Sequence, residues 1–210
     1  MTGLREEVIA VATPLTNSAH ANAPGGLPLR TERTLLRLAE PADAPELLAF
    51  HARNAAHLAP TSPQRPPGFL TLEHWERQIA QEQADFAAGR AVRLLLCPAG
   101  EPQRVIGGVN LNSISRGAAQ YADLSYALDA DAQGQGLITE ATRAVIAYAF
   151  GPLNLHRVRA CYLPTNERSG AVLRRLGFVI EGYARDYLLI DGRWQDQILT
   201  GLINPEWRPA

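Results

Sequence analysis

Two short stretches of this sequence combine residue types and spacings suited to chemistry. In the first, Leu128-Asp129-Ala130-Asp131-Ala132-Gln133-Gly134-Gln135-Gly136-Leu137-Ile138, a strand-like segment ends, a loop with two glycines follows, and an Ala-rich helical segment begins. Glycine lets a backbone approach a ligand closely. The free N–H groups and positive dipole end of a helix start suit an anion such as pyrophosphate. The same residues would equally serve as a plain tight connection. They do not form a Walker loop, because no Gly-Lys-Ser/Thr follows. A Rossmann site is a poor match, since the third glycine is missing and the order of elements is wrong.

The second stretch is Leu163-Pro164-Thr165-Asn166-Glu167-Arg168-Ser169-Gly170, continued by Val172-Leu173-Arg174-Arg175-Leu176-Gly177-Phe178. Structurally, Asn166 reads as a helix N-cap and Gly177 as the stop of the same helix. Functionally, Asn166 and Ser169 lie one turn apart at a helix start, which sets a carboxamide and a hydroxyl beside whatever the glycine loop binds. Asn110 and Asn112 share one strand face, as do Tyr121 and Asp123 on the next strand, and either pair suits a substrate amine or amide as well as solvent. His51 and His57 are candidates for a substrate mouth or for ordinary structural histidines. No His/Cys set has zinc spacing, so no metal is expected. No Gly-x-Ser-x-Gly elbow supports a serine hydrolase.

The elements that must position these groups follow from patterning. Strands are expected at 34–38, 91–97, 104–115, 120–128, 156–163, 178–190 and 193–203, with an irregularity at Gly107-Gly108 and a tight turn at Ile190-Asp191-Gly192-Arg193. Four helices are expected. One opens at Asp43-Ala44-Pro45-Glu46, with Asp43 as cap and Glu46 at the third helical position, and fades near Asn54. The others run from Leu72 to Ala88, capped by Thr71, from Leu137 to Phe150, and from Glu167 to Leu176. The segment from Ala59 to Gly68 holds four prolines and reads as loop. The order is β-α-α-β-β-β-α-β-α-β-β, an α/β fold whose simplest closed form is one mixed sheet with helices on its faces.

The chain has 210 residues, 46% hydrophobic and 20% charged, which is ordinary globular composition. Its 20 basic residues, all Arg, face 21 acidic ones, for a net charge of −1. That balance argues against a general basic field for nucleic acid. Cys97 and Cys161 each sit in an apolar run and read as reduced core residues of a cytoplasmic protein. No stretch approaches a membrane span. Residues 1–26 read as a mobile N-terminal tail rather than a signal peptide, because Glu6 and Glu7 stand where positive charge belongs. The remainder, 27–210, reads as a single domain.

Together the two chemical stretches resemble the GNAT acetyltransferases, and more closely the RimJ/RimL-type ribosomal-protein alanine N-acetyltransferases. Gln133-Gly134-Gln135-Gly136-Leu137 is similar to the acetyl-CoA signature Gln/Arg-x-x-Gly-x-Gly/Ala. Asn166 to Gly170 and Leu173-x-x-Leu176-Gly177-Phe178 resemble the block that follows it. Glu181-Gly182-Tyr183-Ala184-Arg185-Asp186-Tyr187-Leu188-Leu189-Ile190-Asp191-Gly192, Leu199-Thr200, Pro205-Glu206-Trp207 and His57-Leu58-Ala59-Pro60 resemble the RimJ branch.

The resemblance implies a mostly antiparallel sheet of about seven strands with four helices, whose central strands splay to form an acetyl-CoA cleft. It implies that Ala127 and Leu128 pair with pantetheine and that amides of Gly134, Gln135, Gly136, Leu137, Ile138 and Thr139, beside Gln133, hold the pyrophosphate. Asn166 would contact the pantetheine arm, Arg174 or Arg175 the adenosine phosphate, and Ser169 the departing thiolate. The implied reaction is direct amine attack on the thioester. The implied acceptor is the N-terminal α-amine of a protein, a small-subunit ribosomal protein beginning with Ala or Ser. His57, Asn110, Asn112, Tyr121 and Asp123 are the substrate-binding candidates.

Two positions depart from the pattern. Ile138 stands where the signature ends in Gly or Ala, and Leu188 stands where RimL-type relatives carry an acidic base. Asp186, two residues earlier, would share the face of Leu188 in a regular strand and is the candidate base, or else a solvated carboxylate. Two other functions fit the same residues: acetylation of a small amine such as a polyamine, amino acid or antibiotic, and a non-catalytic acetyl-CoA-binding or ribosome-assembly role.

Overall fold

The structure is a computed structural model that describes residues 26–209. The tail expected over 1–26 therefore lies outside the described residues except for Gly26. Eight strands form one sheet: β1 (Leu29–Arg30), β2 (Thr34–Arg37), β3 (Val92–Pro98), β4 (Gly107–Ser115), β5 (Tyr121–Leu128), β6 (Arg157–Tyr162), β7 (Val179–Ile190) and β8 (Arg193–Ile203). Their order is β1-β2-β3-β4-β5-β6-β8-β7. Every neighbouring pair is antiparallel except β5 and β6. The helices are α1 (Ala44–Arg53), α2 (Ala55–Leu58), α3 (Leu72–Ala87), α4 (Leu137–Phe150) and α5 (Glu167–Arg175). Beyond the expected seven strands and four helices, the structure adds the two-residue β1 and the one-turn α2. Both are too short to show a period in sequence.

Two cores sandwich the sheet. Leu94 and Leu96 of β3 join the core beneath α4, with Val145, Ile146 and Tyr148. Leu95 and Cys97 of the same strand point into the other core, with Phe50 of α1 and Trp75 and Ile79 of α3. A continuous apolar run is what a strand covered on both faces requires.

Three local expectations are corrected. Asp43 makes no side-chain cap hydrogen bond to α1. Its carboxylate instead takes two 2.6 Å hydrogen bonds from Arg37 and one from the Glu40 N–H. Glu46, freed from a capping box there, accepts from the Val105 N–H at 3.1 Å. The glycine pair in β4 marks a close approach rather than a bulge: a Cβ on Gly107 would strike the Ala127 carbonyl oxygen. The register shift lies between Asn112 and Ser115 instead. The Ile190–Arg193 turn forms as expected, with Asp191 and Gly192 both at positive φ.

Candidate active site

The site begins where β5 and β6 part. Their parallel pairing covers only Tyr121–Arg157, Ala122–Val158 and Asp123–Arg159. Beyond it, β5 stays bound to β4 as far as Leu128, while β6 stays bound to β8 as far as Tyr162. Leu124 to Leu128, including Ala127 and Leu128, therefore present one unpaired backbone edge to a wedge between two strands of the same sheet. Such an edge can accept an extended, amide-bearing ligand as an added strand.

The wedge opens toward the start of α4. Gly136 caps this helix in the left-handed region, at φ 78, and supplies no side chain to the first turn. Gly134 is also left-handed, at φ 76, with open space where a Cβ would stand. Among the described residues, the N–H groups of Gln135, Gly136, Leu137, Ile138 and Thr139 have no protein acceptor. Uncapped donors at a helix N-terminus form an anion cradle. Ile138 is accommodated by packing against the α4 core.

Several side chains hold this loop from a distance. Arg33 donates to Glu140 through its backbone N–H at 2.9 Å and its Nε at 2.8 Å, and to the Gln135 carbonyl at 2.9 Å. Asn54, buried between α1 and α2, accepts from the Ala130 N–H at 3.0 Å. Arg53 bonds Asp129 at 2.8 Å and also reaches the Val105 carbonyl. Desolvation works to raise the Asp129 carboxyl, but these bonds outweigh it and keep the group below the usual carboxylate range. His57 and Gln133, both expected at the site, meet directly: the Gln133 Nε2 lies 2.8 Å from His57 Nε2. Gln133 Oε1 in turn accepts from Arg168 at 2.6 Å. The carboxamide thus ties α2 to α5 across the loop, with His57 Nε2 as the acceptor.

On α5, Asn166 Oδ1 caps the helix by accepting from the Ser169 N–H at 3.1 Å. The Ser169 hydroxyl lies 2.8 Å from the hydroxyl of Tyr126, which projects from the unpaired part of β5. Tyr126 also reaches the Ser169 carbonyl at 3.3 Å. Burial pushes the Tyr126 phenol up to about 12, against a smaller opposing effect of Ser169. It therefore stays protonated at neutral pH and spans the wedge as a neutral donor. Sequence reading missed Tyr126, because a half-buried tyrosine on a strand gives no signal of what it faces. Arg33, Arg53, Asn54 and Arg168 were missed for the same reason.

Arg174 and Arg175 are exposed in the last turn of α5. Asn110 and Asn112 converge on Ser125, at 3.5 and 3.0 Å. Asp123 is engaged by Arg159 at 2.9 and 3.1 Å, and the same guanidinium lies 3.6 Å above the Tyr121 ring. Asn110 and Asn112 on β4 stand opposite Ser125 and Asp123 on β5, so the four candidates run along neighbouring strands from the last β5–β6 pairs into the start of the wedge. Asp186 is different. Register shifts between Ala184 and Leu188, and Asp186 itself has φ 47. The regular-strand spacing that placed it on the face of Leu188 is corrected by this bulge. Its carboxylate is exposed, and its N–H donates to Asp196 at 2.9 Å. The described residues hold no cluster of three or more potential metal ligands.

Comparison with known proteins completes the assignment. The acetyltransferase (GNAT) domain family matches residues 33–179. The chain belongs to the GNAT acetyltransferases. It is 38% identical to the ribosomal protein uS5-alanine N-acetyltransferase of Escherichia coli K12, over 87% of this chain and 93% of that protein. The Vibrio fischeri ribosomal-protein-S5-alanine acetyltransferase superposes with a TM-score of 0.83 at 36% identity, covering 87% of this chain and all of the other. Mycobacterium smegmatis RimJ, solved with a CoA disulfide, gives a TM-score of 0.78 at 26% identity, covering 84% and 85% of the two chains. This GNAT protein is an N-acetyltransferase, and members of its family use acetyl-CoA. The wedge, the open cradle and the absence of a Cβ at Gly134 and Gly136 fit that donor.

Proposed function

We propose that this enzyme acetylates the N-terminal α-amine of a protein, a small-subunit ribosomal protein beginning with Ala or Ser, in the cytoplasm. The observation that carries the reading is the composition of the transfer point. Among the described residues, Ser169 bonds only the neutral groups Asn166 and Tyr126, and the Ser169 and Tyr126 hydroxyls make no hydrogen bond to a carboxylate or imidazole. A site without an adjacent strong base suits an amine that is easily deprotonated. Near neutral pH, baring an α-amine costs about 1 kcal/mol, whereas baring a lysine costs about 4 kcal/mol. The extensive likeness to enzymes named for ribosomal-protein alanine supports the same acceptor.

In this reading acetyl-CoA supplies an activated thioester. The amides of 134–139 hold its pyrophosphate, the free edge at Ala127 and Leu128 pairs with its pantetheine, and the free Nδ2 of Asn166 donates to the same arm. Arg174 or Arg175, exposed in the last turn of α5, would pair with its adenosine phosphate. The Tyr126 hydroxyl donates to Ser169 Oγ, leaving the serine proton to point at the departing sulfur. The acceptor approaches over the Asn110, Asn112, Tyr121 and Asp123 patch and past His57, and its proton leaves through water and backbone carbonyls. Asp186 serves as base only if its bulge turns inward.

Mass spectrometry with acetyl-CoA and a defined acceptor panel tests this. Free Ala- and Ser-starting peptides should gain one acetyl group at the N-terminus. An N-blocked peptide with an internal Lys, and spermidine, should gain none. Acetylation of spermidine or Lys alone would overturn the reading.

A further inference from the structure

A pocket of about 350 Å³ lies between the α1–α2 junction, the proline-rich loop after α2 and the tip of the β7–β8 hairpin. The hairpin tip is fixed there by the Asp191 N–H, which donates to the Ser62 carbonyl at 3.1 Å, and by a bridge between Pro63 and Ile190. Most of the wall is apolar, but Arg65 lines it as its one cation, with Asp191 on the hairpin side. The guanidinium rests 4.1 Å over the Phe69 ring, and its Nη1 lies 3.3 Å from His51 Nδ1. His51 is itself stacked on Trp75, with ring centroids 4.4 Å apart and planes 8° from parallel.

His51 provides an acceptor but no counter-charge. Burial first, and the neighbouring Arg65, His74 and Arg53 after it, hold its pKa down to about 3. Among the described residues Arg65 enters no ion pair, and its other N–H groups have no acceptor. A half-buried guanidinium with an unfilled planar fork in an apolar wall matches a carboxylate.

We propose that this pocket binds the acceptor peptide beyond its acetylated residue, with Arg65 pairing to a Glu or Asp side chain of that segment. The inference rests on the N-terminal acetylation reading and names a specificity determinant for it. The pocket and the signature loop lie on two sides of the single turn α2: Ala55 and Ala59 border the pocket, while His57 bonds Gln133. A helix with side chains is about 10–12 Å across, and an extended peptide advances about 3.4 Å per residue. Crossing α2 alone takes about three residues, and the peptide must first run from the Ser169 transfer point to the signature loop, so the carboxylate belongs at position 4 or later.

Ala-starting nonapeptides in which a single Glu is moved from position 2 to position 8, each with a Gln control, test this in steady-state assays. Glu at one position from 4 to 8 should lower the peptide KM at least tenfold relative to Gln. Arg65→Gln should abolish that preference, and Arg65→Glu should transfer it to the Lys-containing counterpart. A KM indifferent to Glu in the unaltered enzyme, or a preference that survives in Arg65→Gln, overturns the proposal while leaving N-terminal acetylation standing. If no peptide is acetylated at all, the acetylation reading fails, and calorimetric titrations of the unaltered and Arg65→Gln proteins with the same peptides decide on the pocket. Tighter binding of the Glu peptides would uphold it, and equal or absent binding would overturn it.

Discussion

The hydroxyl pair at the wedge makes a quantitative prediction. In Ser169→Ala, Tyr126 loses its 2.8 Å partner but keeps the Ser169 carbonyl as an acceptor at 3.3 Å. The phenol is not orphaned, so stability should fall by no more than about 1 kcal/mol. The rate should fall much further. A hydrogen bond to a charged group contributes about 1.5–3 kcal/mol, so losing the donor to the developing thiolate should lower kcat about 10- to 150-fold. Tyr126→Phe leaves Ser169 in place but releases its proton from one orientation, a change of about 1 kcal/mol that should lower kcat about fivefold. Because Tyr126 acts through Ser169, it should have no further effect in the Ser169→Ala background. Initial rates of CoA release with an Ala-starting peptide, at saturating acetyl-CoA, would measure the full double-mutant cycle. Thermal melts would control for folding. A Ser169→Ala enzyme within twofold of the parent, or a Tyr126→Phe effect that simply adds in the double variant, would refute the relay.

Further predictions address the cradle, the sheet and the pH response. Gly136→Ala should cost only about 1 kcal/mol of stability for its left-handed backbone, since the new Cβ would meet nothing closer than Arg33 at 3.7 Å. It should nonetheless raise the acetyl-CoA KM severalfold, as measured by initial rates. Asn54→Ala leaves the Ala130 N–H without its acceptor and should cost about 1–3 kcal/mol in urea melts, with a parallel loss of acetyl-CoA affinity by calorimetry. Gly107→Ala drives a Cβ into the backbone carbonyl of Ala127 and should destabilise by about 3 kcal/mol or more, read as a lowered urea midpoint. His51, held down to about 3, binds its proton in the unfolded chain first, so stability should fall as pH drops below about 6.5. By pH 5 the loss approaches about 2 kcal/mol, and His51→Asn should flatten that slope in pH-dependent urea melts. Asp43 acts at lower pH. Desolvation raises its carboxyl, but the Arg37 and Glu40 bonds outweigh this and leave it below its ordinary value. Its contribution is present above the unfolded carboxylate pKa and is lost as pH falls toward the folded one.

What the sequence made legible depended on whether the information was contiguous. The Leu94-Leu95-Leu96-Cys97 run reads as a strand, and its unbroken apolar character is explained by the structure, where each residue meets one of the two cores. Thr71 and Asn166 read as caps because the side-chain oxygen of a cap accepts from an N–H only three residues on. Asp43 misled because its competitor, Arg37, is a long side chain on the preceding strand whose paired bonds outweigh a cap. Asp186 misled because parity along a strand holds only while the ladder is regular, and β7 carries an extra bend before Leu188.

The same distinction separates the two halves of the site. An anion cradle is built from consecutive backbone N–H groups, so the candidate stretch Gln133 to Thr139 is contiguous in sequence, where it reads equally as a tight connection until the family resemblance is added. The groups that hold it, and those proposed to face the acceptor, come from far apart in the chain: Arg33 on Gln135, Arg53 on Asp129, Tyr126 on Ser169, and Arg65 beside Asp191. A side-chain pocket assembled from several segments leaves no local pattern, because each member looks like an ordinary surface arginine or half-buried tyrosine in its own window. Backbone-built subsites therefore carry over between relatives by motif, whereas acceptor choice can change by replacing one such side chain without disturbing the motif. That is why the donor follows from family membership, while the acceptor has to be argued from Arg65 and its neighbours.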